Sequence, residues 1–111
     1  MELKKSTQGS ATVVAVTGRL DASTSTEMEK FVVGLIDAGE RKLVLDFTGL
    51  EYTSSAGLRV LLVVTKKMKA LQGKFLLAAL NERIREVVEI AGFTAILQIH
   101  PTVEAAVQAI G

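Results

Sequence analysis

The sequence predicts an α/β fold: one domain on a four- to five-stranded, mostly parallel sheet, with an antiparallel N-terminal edge strand and about four helices. Three observations carry that prediction. Short β-branched, apolar runs alternate with segments of helical spacing along the whole chain. That alternation implies right-handed crossovers and parallel pairing. The inner runs are continuously apolar, as strands are when helices cover both faces of a sheet. A length of 111 residues fits a single domain spanning 1–111.

Each element follows from its residues. ATVVAVTG, residues 11–18, is a buried strand ending in glycine. Residues 2–6 pair back on it across Gln8-Gly9-Ser10 as an N-terminal hairpin. After Asp21, either Ser23 or Thr24 is suited to cap a helix, with acids early in that helix. Met28, Phe31, Val32, Leu35 and Ile36 share its apolar face, and Gly39 stops it. RKLVLDF, residues 41–47, is a second buried strand. A helix then runs from the Thr53–Gly57 cluster to about Leu71, with Gln72-Gly73 as its stop. KFLLAAL, residues 74–80, is a third strand. Asn81 caps an amphipathic helix ended by Gly92, AILQI at 95–99 is a last short strand, and Thr102 caps the C-terminal helix.

Composition excludes several classes. A net charge of +1 with 23% charged residues gives no basic stripe, so no nucleic-acid partner is expected. There is no cysteine, hence no disulfide or thiol chemistry. The opening MELKKSTQGS has no apolar signal core, and the longest apolar runs fall far short of the roughly 20 residues of a membrane span. The expectation is a soluble, cytoplasmic domain without membrane insertion. His100 is the only histidine, and neither a phosphate loop nor a metal-ligand spacing is present. No catalytic residue, metal or cofactor is therefore assigned, and the chain is not read as an enzyme.

The informative stretch is LEYTSSAGLRVLL, residues 50–62. One reading of Thr53-Ser54-Ser55-Ala56-Gly57 is helix capping, with Ser54 or Ser55 accepting from first-turn amides. Three features point further. Three adjacent hydroxyls exceed what one cap needs. Gly57 costs about 1 kcal/mol against alanine inside a helix, which suggests a close approach to the backbone. The cluster also follows a strand, on the rim where α/β sheets carry their ligand-facing loops. A phosphate at a helix N-terminus is stabilised there and leaves the fold intact while changing the surface. Along this helix Leu58, Leu61, Val64, Thr65, Met68 and Leu71 share an apolar arc. Arg59, Val63, Lys66 and Ala70 lie opposite, which leaves Val63 as an apolar spot among cations and the helix as a candidate partner-binding face.

VTGRLDAST (16–24) and LVLDFTGLEYTSSAGLRVLL (43–62), in this order, resemble the STAS domains. The likeness is specifically to the stand-alone bacterial anti-sigma factor antagonists, and it covers nearly the whole chain. The resemblance implies a STAS-like fold and a partner switch. Unphosphorylated, such an antagonist sequesters an anti-sigma factor serine/threonine kinase of the histidine-kinase ATPase type, and so releases a sigma factor. The kinase phosphorylates it with ATP, the complex separates, and a metal-dependent serine phosphatase resets it. Nucleotide and magnesium belong to the kinase; the antagonist supplies one hydroxyl.

Register with the family places that hydroxyl on Ser55, with Ser54 and Thr53 as alternatives. Ser54 stands where the family has an acid, and Ala56 where it has a second hydroxyl. Gly18, Asp21 and Asp46 match their motif positions, with Asp21 expected on the same rim as Ser55 and Asp46 as a turn stabiliser. The expected partner-binding set is Asp21, Ser54, Ser55, Ala56, Gly57, Arg59 and Val63. The alternative is a STAS module without a serine switch, serving as a signalling scaffold or as the soluble subunit of a membrane transporter. A small-ligand or nucleotide binder using the rim is a third reading.

Overall fold

A computed structural model describes residues 1–111. Its elements are β1 (Glu2–Gln8), β2 (Ala11–Leu20), α1 (Ala22–Asp37), β3 (Lys42–Asp46), β4 (Leu50–Thr53), α2 (Ser55–Ala70), β5 (Lys74–Ala78), α3 (Glu82–Ile90), a 3-10 turn (Phe93–Ala95), β6 (Gln98–His100) and α4 (Val103–Ile110). The strand order is β1-β2-β3-β5-β6, with β4 also on β2. β1 is antiparallel to β2, and every other pair is parallel. The mixed α/β architecture is the one the alternation predicts. The strands number six because Leu50–Thr53, to which the sequence reading assigns no strand, is one.

β2 is long enough to serve two partners. Its residues Thr12–Ala15 pair with β3, and Gly18–Leu20 pair with β4. The register shifts between Gly18 and Arg19. Gly18 sits at a φ of +96°, a conformation that side chains rarely adopt. β3 and β4 therefore lie end to end along one edge of β2, and the chain can pass from the core to the rim without leaving the sheet.

Alternate residues of the inner strands face opposite layers. Val14, Val16, Leu43, Leu45 and Leu77 pack with α1, α2 and α3 in the larger core. Ala11, Val13, Val44, Leu76 and Ala78 meet α4 through Ala106 and Ile110. Each wholly buried Val, Leu or Ile contributes about 1.5–3 kcal/mol.

Four local expectations are corrected. α1 starts at Ala22 and its cap is Asp21, not Ser23 or Thr24, so no acid falls in its first turn. The buried face of α2 is Gly57, Val60, Leu61, Val64 and Met68. Val60 joins it because α2 packs against α1 as well as the sheet, whereas Leu58 is only half-buried and Leu71, past the helix end, is exposed. Val63 is half-buried rather than bare. The last strand is Gln98–His100, displaced because Phe93–Ala95 coils into a 3-10 turn. The caps at Asn81 and Thr102 form as expected, accepting from the amides of Ile84 and Ala105.

Candidate functional site: the rim shared by two helix N-termini

β2 and β4 end together. Leu20 is the ladder partner of Thr53, and both are the last residues of their strands. α1 leaves Leu20 through Asp21, and α2 leaves Thr53 through Ser54. The Ser54 amide donates to the Leu20 carbonyl at 2.8 Å, so the two departures are tied together. This juxtaposition brings Asp21 and the hydroxyl cluster to one rim.

Asp21 is a fully engaged cap. Its Oδ1 accepts from the amides of Ser23 and Thr24, each at 3.0 Å, while Thr24 Oγ1 accepts from the Asp21 amide at 2.8 Å. This reciprocal arrangement is a capping box. The Thr24 amide foremost, then the Thr24 and Ser23 hydroxyls, hold the Asp21 carboxyl below its ordinary value.

The α2 end is built differently. Ser54 is the N-cap by position, yet its side chain makes no capping bond. Its Oγ is buried without a partner. Ser55, the first helical residue, is exposed and caps nothing. The capping expectation for Ser54 or Ser55 is thus overturned: Ser54 turns its hydroxyl inward, and Ser55 turns outward. No side chain satisfies the first-turn amides of α2, where the helix dipole concentrates partial positive charge.

Gly57 is buried, and the close approach inferred for it comes from the chain itself. A methyl group there would collide with Thr53 Oγ1 and lie 3.1 Å from Leu20 Cβ. Ala56 and Val63 are half-buried. Arg59 is exposed, 3.9 Å from Glu29 of α1, a surface pair of small energetic weight. Sequence reasoning did not single out Arg19 and Tyr52. They are ladder partners across β2–β4, with the guanidinium 4.4 Å from the ring centroid. Only recognition of β4 as a strand would have revealed them.

The other candidates lie elsewhere. Asp46 accepts from the Thr48 amide at 2.9 Å and its hydroxyl at 2.5 Å, which stabilises the turn after β3. His100 is on the edge strand β6, with β5 and β3 between it and β2. No helix is long and apolar enough to cross a membrane.

Comparison with known proteins adds independent evidence. Residues 2–106 match the STAS domain. BtrV of Bordetella bronchiseptica, a candidate anti-sigma factor antagonist, is 38% identical over 97 residues, covering 87% of this chain and 84% of BtrV. A crystal structure of a candidate anti-sigma factor antagonist from Thermotoga maritima superposes with a TM-score of 0.92 at 19% identity, covering 97% of this chain and 93% of that one. The phosphorylated form of the Bacillus cell fate determinant SpoIIAA gives 0.77 at 16% identity, covering 99% and 100%. The fold extends to a sulfate transporter family protein of Wolinella succinogenes, with a TM-score of 0.76 at 13% identity over 91% and 84% of the two chains. The chain belongs to the STAS domain family.

Proposed function

We propose that this chain is a phosphorylation-switched binding protein of the partner-switching kind. Unphosphorylated, it sequesters an anti-sigma factor serine/threonine kinase and so frees a sigma factor for transcription. Phosphate on Ser55 dissolves the complex, and a metal-dependent serine phosphatase restores the binding form. The setting is the cytoplasm, where ATP is available to the kinase.

One observation carries the reading. Ser55 is exposed at the first position of a helix whose N-terminal amides no side chain caps. Its hydroxyl takes the terminal phosphoryl group of ATP, ADP leaves, and the hydroxyl proton passes to a base on the kinase. The product adds about −1.5 to −2 charges at neutral pH. Free amides and the helix dipole favour that charge locally, so the fold survives. A partner covering the rim meets it as an unmatched, desolvated charge and is released. Asp21, Ser55 and Arg59 offer the exposed contacts, Ala56 and Val63 extend them, and Ser54 and Gly57 shape the rim from beneath. The relation to BtrV supports the antagonist role, and the likeness in fold to SpoIIAA in its phosphorylated form is in keeping with a phosphate on this rim.

The test is phosphotransfer. The chain, used as bait in lysate of its source cell, captures the kinase; the purified kinase is then given magnesium-ATP and wild type, Ser55→Ala or Ser54→Ala. Phosphate on wild type and Ser54→Ala but not on Ser55→Ala supports the switch. Phosphate mapped to Ser54 or Thr53 overturns the assignment. A captured partner that transfers none favours the scaffold or transporter-subunit alternative.

A further inference from the structure

The C-terminal half of α2 borders a cavity separate from the rim. It has a volume of about 530 Å³ and lies between α2, the start of β5 and the 3-10 turn. That volume falls within the roughly 300–1,000 Å³ typical of small-molecule sites. Leu62, Met68, Phe75 and Ile96 supply its apolar lining, and Lys66 and Lys69 line it as well. Ile96 is 50% exposed, a large apolar side chain left in contact with water.

The electrostatics of the cavity have one sign. No carboxylate lines it. The ion pairs of the protein are Arg59–Glu29, Lys67–Asp37 and Arg85–Glu89, so Lys66 and Lys69 have no acidic partner. Three residues apart on a helix, they are surface neighbours whose like charges repel. Cations near a helix C-terminus complement its dipole, but that does not account for an apolar hollow beside them. The Thr65 hydroxyl is committed to the Leu61 carbonyl at 2.7 Å, which leaves the ammonium groups as the free side-chain donors.

We propose that this cavity binds a small amphiphilic anion, with an apolar body of one ring or a medium-length chain and a single carboxylate or sulfonate head. The body lies against Met68 and Phe75, where the flexible thioether adapts to its shape. The head sits between Lys66 and Lys69 and relieves their repulsion through charge-assisted hydrogen bonds.

The experiment is a titration of the isotope-labelled full chain with decanoate, decanol and decylammonium below their micellar concentrations, followed by amide NMR. Decanoate is expected to give saturable shifts confined to the second half of α2, the start of β5 and the Phe93–Ile96 segment. Lys66→Gln with Lys69→Gln, both exposed positions, weakens decanoate by about tenfold and leaves decanol unchanged. Decylammonium binding as tightly as decanoate overturns the proposal. So do shifts that never saturate, or lysine substitutions without effect.

Discussion

The Ser54 amide and the Leu20 carbonyl meet at 2.8 Å, where β2 and β4 end together. This single bond fixes the start of α2 against the start of α1. It also leaves the two N-termini in contrasting states, with Asp21 capping α1 through the amides of Ser23 and Thr24 and no side chain capping α2. The end without a cap carries the exposed serine.

Gly57 is the packing residue of that joint. Gly57→Ala brings a methyl group into Thr53 Oγ1 and against Leu20. Overpacking costs about 1–3 kcal/mol, which outweighs the gain of about 1 kcal/mol from alanine's helix propensity. Urea denaturation should show a lower midpoint, with Thr53→Ala in the same chain recovering part of the loss. An unchanged or raised midpoint for Gly57→Ala would mean that the contact relaxes freely.

Ser25 is 1% exposed in α1, and its hydroxyl has no partner. A buried unsatisfied hydroxyl costs about 1–3 kcal/mol. Ser25→Ala removes it and favours the helix, so thermal and urea midpoints should both rise, by about 1 kcal/mol at equilibrium. A fall in either would show that the hydroxyl makes a stabilising contact.

The sheet and most helix faces were legible because they are locally encoded. ATVVAV, KLVLD and KFLLA are continuous apolar runs, and Asn81 and Thr102 stand immediately before their helices. β4 was not legible: LEYT is four residues long, half exposed, and becomes a strand only by pairing with the far end of β2. The rim was legible in part: alternation put Asp21 between a strand and a helix, and the motif resemblance set Ser55 on the same edge. Its details were not. Asp21 outcompetes Ser23 and Thr24 as the cap because its carboxylate accepts from both of their amides. The inward turn of Ser54 depends on tertiary packing, which no window of sequence contains.

The Asp21 cap makes stability depend on pH in a defined direction. Its carboxyl is held below the ordinary value of 3.8 by the hydrogen bonds from Thr24 and Ser23. The stabilisation is therefore fully present above that value and is lost as pH falls through the lower folded-state value. Asp21→Asn keeps the shape but not the titration. Its urea midpoint should fall less than that of wild type between neutral pH and pH 3, and matching slopes for the two proteins would exclude a role for this cap in acid sensitivity.

The central claim is that charge at Ser55 decides docking. The direct measurement is calorimetric titration of the captured kinase with wild type, Ser55→Ala and Ser55→Asp, with circular dichroism confirming that all three are folded. The account predicts equal affinity for wild type and Ser55→Ala, and a loss of about a hundredfold for Ser55→Asp, the scale of one unmatched buried charge. Equal binding by Ser55→Ala and Ser55→Asp would contradict it.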